Sequence, residues 1–416
     1  MQLALLGLNS QTLALLRSAV EAGHALTVAA DVEEAAHQIA ALAPAARLNE
    51  PWESLLIGDR ADLVLVAGPP QDRAWNESEI DRLRKLVQEG LPVLLAPPLV
   101  EVNLAYELEM IRRERGGLIL TASPAWSHPG VERLRHLVDD STAAGLGALE
   151  QIVFERRISD RSRPAVLAAF VQDAAILRRL LGAIKTVNAT GGPASEYRDP
   201  MAGGPKPVKP LSSVAVHLTG TSPFSARWSI APPANDLQAS LLVEGALGRA
   251  QLDLFGGGRA DEFVLQTPAG ERQEQLAVDE GQFWASLETA LQRHSAATLE
   301  AQRDWHTTLS PPWIDVCHDL EAAEAIDRSL IRGRTVNVTT DEPSEEEAFK
   351  GIMAAGGCLT LVVSLGLFLL AGAVEALQLP IRDLPVWRFS PLLPLAPIVL
   401  FLLLQLFRLA VPPRRS

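Results

Sequence analysis

The sequence predicts an α/β domain with a doubly wound parallel sheet, then an α+β domain with an open, mostly antiparallel sheet, then two transmembrane helices. Three observations carry this. Apolar runs alternate with helical patterns early in the chain, short runs divided by Gly, Pro and Ser fill the middle, and two long uncharged stretches close it. Strand alternating with helix implies crossover units in one sheet. At 416 residues the chain is long enough for several domains, each with its own core. The boundaries fall at 1–122, 123–340, an acidic linker at 341–350, and the hairpin with a short basic tail at 351–416.

Gln2–Leu6 is an apolar run ending at Gly7, and a helical pattern follows from Gln11 to Glu21 with a stop at Gly23. Ala25–Ala30 ends at Asp31; Leu63–Ala67, a helix around Glu77–Gln88 and Val93–Leu95 continue the alternation. Asp62–Gly68 reads DLVLVAG, and continuously apolar strands suit a sheet covered on both faces. Further on, Val214–Leu218, Phe224–Ile230, Leu237–Val243, Ala250–Phe255 and Glu262–Gln266 read as strands of the second sheet.

Composition narrows the function. Hydrophobic residues at 48% and charged residues at 21% describe a folded chain. A net charge of −13 argues against a nucleic-acid partner, which would need a basic face for phosphates. The two cysteines, Cys317 and Cys358, lie far apart, so neither disulfide staples nor a zinc site is expected. Asp315, Cys317, His318 and Asp319 look like metal ligands by type. On one helix, however, Cys317 points away from the face that Asp315 shares with His318 and Asp319, so no metal is expected.

Gly351–Val374 carries no charge, and at 1.5 Å per residue it makes a helix about 36 Å long, enough to cross about 30 Å of hydrocarbon. A second apolar run, Phe389–Phe407, has Pro391, Pro394 and Pro397 at its entry end, where interruption is best tolerated. A lipid bilayer is therefore an expected partner. Lys350, Arg408, Arg414 and Arg415 flank the hairpin against Arg382 and Arg388 in its loop, which places both termini in the cytoplasm. The opening MQLALLGLNSQTLALL lacks the basic start of a signal peptide. The large N-terminal region is expected on the cytoplasmic side of an integral membrane protein.

The first strand–helix turn is where a dinucleotide would sit in a Rossmann-type domain. That fingerprint needs glycines for a tight turn and for close approach to the pyrophosphate. Here the turn reads Gly7-Leu8-Asn9-Ser10-Gln11-Thr12, with the first glycine alone retained. Asp31 stands where a carboxylate accepts ribose hydroxyls, or is simply a polar strand end or helix cap.

In order and spacing the chain resembles the glucose–fructose oxidoreductase/inositol dehydrogenase/MocA (Gfo/Idh/MocA) family. The segments that carry the resemblance are the opening strand and turn, Thr27–Ala40, Trp52–Leu56, DLVLVAGPP with Pro69 and Pro70, Leu91–Leu99, and Trp313–Val338. The resemblance implies NAD or NADP held near Gly7, Leu8, Asn9, Asp31 and Pro69. NAD is favoured, because Asp31 would repel a 2′-phosphate. It also implies a second domain whose sheet offers one face to oligomer contacts, and a sugar or polyol derivative as ligand.

The family's catalytic residues do not carry over. Its Glu-Lys-Pro after the fifth strand matches Ala96, Pro97 and Pro98, so the lysine position is Pro97. Its Asp-x-Gly-x-His-x-x-Asp matches Ala168, Phe170, Gln172 and Ala175, so the histidine position is Gln172. Neither proline nor glutamine exchanges a proton at neutral pH. Asp173 could substitute only if its helix turned by about 100°. Two functions stay open: NAD(P)-dependent hydride transfer on a sugar or polyol derivative with other proton carriers, or a catalytically inactive, membrane-tethered binding or scaffold protein. His128, in a loop, and His217, in a strand pattern, are the remaining candidates for a cleft.

Overall fold

The computed structural model describes residues 1–57, 61–70, 73–123, 126–192, 211, 213–256, 259–277, 280–303, 309–338, 360, 364–370, 372–373 and 376. The chain forms two compact units, Met1–Thr340 and Asp341–Ser416.

The first sheet is built from β1 (Gln2–Leu6), β2 (Ala25–Ala30), β3 (Arg47–Leu48), β4 (Leu63–Ala67), β5 (Val93–Ala96) and β6 (Ile119–Thr121). Its spatial order is β3-β2-β1-β4-β5-β6, and every pairing is parallel. The order reverses between β1 and β4, which opens a crevice at the carboxyl ends of those strands. Helices α1 (Ser10–Glu21), α2 (Ala36–Leu42), α3 (Glu77–Gln88) and α4 (Val102–Arg115) make the crossovers. Their ends follow local chemistry. Asn76 caps α3 in a reciprocal box, its Oδ1 accepting from Glu79 N at 2.9 Å while Glu79 Oε2 accepts from Asn76 N at 2.9 Å. Gly116 ends α4 at φ +67°, a left-handed cap that a side chain would resist.

The second sheet takes α5 (Pro129–Asp139), α6 (Arg163–Leu181) and α9 (Trp313–Arg332), together with β7 (Leu149–Arg157), β8 (Thr186–Gly191), β9 (Val214–Thr219), β10 (Ser225–Ala231), β11 (Leu237–Gly245), β12 (Arg249–Phe255), β13 (Asp261–Thr267), β14 (Gly270–Leu276) and β15 (Val336–Asn337). The strand order is β14-β13-β12-β11-β7-β10-β9-β8-β15. All pairs are antiparallel except β7 with β10. Alternate residues, such as Ile152 and Phe154 on β7 or Ala226, Trp228 and Ile230 on β10, are buried, as period-two strands covered on one face require.

Between β14 and α9 run α7 (Glu280–Ala296) and α8 (Leu299–Arg303). Helix α7 returns to the first sheet: Trp284, Leu287 and Leu291 share a core with Leu3, Leu5, Leu16 and Leu65. The Trp284 indole also donates to Ser18 Oγ on α1 at 3.0 Å.

The expected linker at 341–350 lies outside the described residues, as does the transmembrane hairpin apart from 360, 364–370, 372–373 and 376. Residues 364–370 are helical, and Leu365, Phe368, Leu369 and Leu370 are 58% to 66% exposed. Among the described residues, no helix is long and apolar enough to cross a membrane.

Candidate functional site

The crevice at the switch point is lined by the turns that follow β1, β4 and β5. Gly7 ends β1 at φ +72°, and its N–H donates to Ala30 O at 3.0 Å. A Cβ there would stand 3.3 Å from Ala67 Cβ, so this position keeps the glycine that the tight turn needs. Leu8 is half-buried against the same core as Leu3. Pro69 is buried two residues past the end of β4. Between them, Gly68 lies so close to the β5 turn that a Cβ would meet Pro98 O at 2.2 Å.

Asn9 is the N-cap of α1. Its Oδ1 accepts from Gln11 N at 3.1 Å and Thr12 N at 2.9 Å. Its Nδ2 donates to Gly68 O at 3.2 Å and Pro97 O at 3.0 Å. One side chain thus satisfies two amides at the start of the helix and ties the turns after β4 and β5 together. Asp31, left-handed at φ +55°, forms an ion pair with Arg82 of α3. Nothing in the sequence pattern marks Arg82 as its partner.

Pro97 and Gln172 come together. They share the wall of a cavity of about 20 Å³ with Leu99, Thr121, Ser123 and Asp319, among others. The space holds roughly one water molecule, far below the about 300–1,000 Å³ of small-molecule sites. Thr121 is tied to Ser310, whose Oγ accepts from Thr121 N at 3.0 Å. Asp319 is buried and held on both oxygens by Arg178, at 3.0 and 2.9 Å, and Asp315 joins the same guanidinium. Burial raises the Asp319 carboxyl above its ordinary range against the pull of Arg178. Burial acts to lower Arg178, yet Asp319 and Asp315 together hold it above its ordinary value. No sequence pattern places Asp319 on this cavity, because only the fold brings α9 beside β6 and α6.

The remaining candidates have structural partners. Asp173 faces away from Gln172: it accepts from Trp228 Nε1 at 2.8 Å and from Arg156 Nε at 2.9 Å, so the turn of helix that would bring it into the cavity does not occur. His128 is buried as the cap of α5, its Nδ1 accepting from Gly130 N at 3.0 Å and its Nε2 lying 2.8 Å from Asp261 Oδ2. Since Nδ1 accepts, the ring proton sits on Nε2 and is donated to Asp261. His217 is exposed on β9. Cys317 is buried, and burial pushes its thiol up.

No protein-family model matches the chain, and no curated protein matches it. Solved structures do. An oxidoreductase from Agrobacterium radiobacter in complex with NAD+, L-tartaric acid and magnesium is 12% identical with a TM-score of 0.60, covering 81% of this chain and 98% of its own. A myo-inositol dehydrogenase from Corynebacterium glutamicum is 18% identical with a TM-score of 0.57, covering 82% and 99%. A super-repressor mutant of Gal80p from Saccharomyces cerevisiae is 13% identical with a TM-score of 0.62, covering 82% and 98%. At these identities the likeness is one of fold: a parallel Rossmann-like sheet followed by a mostly antiparallel one.

A dinucleotide on this fold would need free amides at the start of α1, an acceptor for ribose and space for nicotinamide. Among the described residues, Asn9 holds the Gln11 and Thr12 amides and Arg82 pairs with Asp31. In this arrangement the residues do not fit the cofactor.

Proposed function

We propose that the chain is a Gfo/Idh/MocA-type protein, built on an oxidoreductase fold, that serves as a catalytically inactive binding or scaffold protein. The observation that carries this reading is the meeting of Pro97 and Gln172 on one cavity wall. The architecture that would unite two proton-transfer groups is kept while both groups are absent. The buried carboxylate nearby, Asp319, is committed to Arg178. The comparison with Gal80p, whose solved form is a super-repressor mutant, is consistent with a binding role on this scaffold.

The domain boundaries at 122 and 340 and the membrane tether belong to the same proposal. Exposed Leu365, Phe368, Leu369 and Leu370 on residues 364–370 favour an apolar surrounding for that helix, since each would otherwise present its side chain to water. The charge pattern flanking the hairpin favours a cytoplasmic body. The open face of the second sheet, with Val153 beside Leu242 at its centre, is a surface for a second copy.

A second reading, NAD(P)-dependent hydride transfer on a sugar or polyol derivative, is favoured by the NAD+ in the Agrobacterium radiobacter structure and by Asp31 at a ribose-facing strand end. It requires Asn9 and Arg82 to release their partners. Incubating the full-length chain in detergent with NAD+ or NADP+ and a panel of sugars and polyols separates the two. No formation of reduced nicotinamide is expected, and sustained turnover would replace the binding reading with the catalytic one.

A further inference from the structure

The missing proton carriers and the filled dinucleotide cradle are separate features, and the second rests largely on one side chain. Gly7 keeps a left-handed turn at the end of β1, the conformation that the first glycine of a dinucleotide turn supplies. What the turn lacks is room and free donors. The Asn9 carboxamide oxygen sits on the Gln11 and Thr12 amides at 3.1 and 2.9 Å, the place a phosphate oxygen takes at a helix start. The nitrogen of the same carboxamide fastens it to Gly68 O and Pro97 O.

We infer that Asn9 is a built-in occupant of this turn that excludes the pyrophosphate of a nicotinamide dinucleotide. Removing its side chain exposes a latent dinucleotide site without restoring catalysis. The inference rests on the binding reading given above. The change is compatible with the fold. Asn9 has an extended backbone, with φ −135°, and glycine is accepted as an N-cap. The Asn9 N–H keeps its acceptor, Thr12 Oγ1, at 2.8 Å, because that contact does not use the side chain.

The test is a titration of the full-length chain in detergent micelles with NADH, read by nicotinamide fluorescence, comparing the unaltered protein with Asn9→Gly. Asn9→Ser, which can cap the helix but is too short to hold both carbonyls, serves if the glycine variant is unstable. Circular dichroism reports folding for each. The expected result is an affinity at least about tenfold tighter for Asn9→Gly than for the unaltered chain, a difference of one decade in Kd. A smaller gain is expected for Asn9→Ser. Neither variant is expected to reduce NAD+ with myo-inositol or glucose. Folded variants that bind no tighter than the unaltered chain overturn the inference and leave the binding reading standing. Turnover by the unaltered chain overturns the binding reading itself. Turnover that appears only in Asn9→Gly overturns the claim that catalysis and cofactor were lost separately.

Discussion

Arg178 on α6 and Asp319 on α9 meet in a two-pronged ion pair, Nε to Oδ1 at 3.0 Å and Nη2 to Oδ2 at 2.9 Å, behind the wall of the Pro97–Gln172 cavity. Both are almost wholly buried. The pair therefore joins the two long helices of the second domain and commits the one carboxylate that lines the cavity among the described residues.

Asp319→Ala should be strongly destabilising. It leaves a buried guanidinium with only the partly exposed Asp315 for company. Breaking a buried pair from one side costs about 3–5 kcal/mol, and the surviving Asp315 contact places this case near the lower end. Urea unfolding of the full-length chain checks it, and a change below about 1 kcal/mol would show that the pair contributes little.

His128 gives the fold an acid-sensitive point. Burial, opposed by Asp261, lowers its pKa from 6.5. The unfolded chain therefore takes up a proton at a pH where the folded one does not, and stability falls as the pH drops below 6.5 toward the folded value. A second ring proton would also displace the Gly130 N–H from Nδ1. Melting temperature followed against pH should show this loss, and His128→Asn, which can still cap α5, should flatten it.

Gly68→Ala should disturb the crevice from beneath. The added Cβ would meet Pro98 O at 2.2 Å and Pro98 N at 2.7 Å, both main-chain atoms, so the turn after β5 must move. Overpacking of this kind costs about 1–3 kcal/mol. Thermal unfolding reads the loss, and an unchanged melting temperature would mean that the two turns yield freely.

Much of the first sheet was legible because its strands are continuously apolar and two of its helices, α1 and α3, start on Asn caps. Gln2–Leu6, Ala25–Ala30, Leu63–Ala67 and the Glu77–Gln88 helix have the bounds their patterns predict. In the second domain, β9 to β13 fall within a residue or two of their apolar runs. Strand β14 was not, because GERQEQL has no buried residue to alternate and is held by its pairing with β13. The site divides in the same way. Pro97 and Gln172 could be placed by resemblance, and the structure sets both on one cavity. The Arg82–Asp31 and Arg178–Asp319 pairs join residues distant in sequence, and no local pattern announces which charge will find which.

Helix α7 gives the chain an order of assembly. As the polypeptide leaves the ribosome, all six strands of the first sheet are complete at residue 121. The helix carrying Trp284, Leu287 and Leu291 to the face around Leu3, Leu5 and Leu16 emerges only after the whole run from β7 to β14 has been made. Until then that apolar flank of the nascent sheet waits for its cover, so the seating of α7 is a late step that joins residues far apart in the chain.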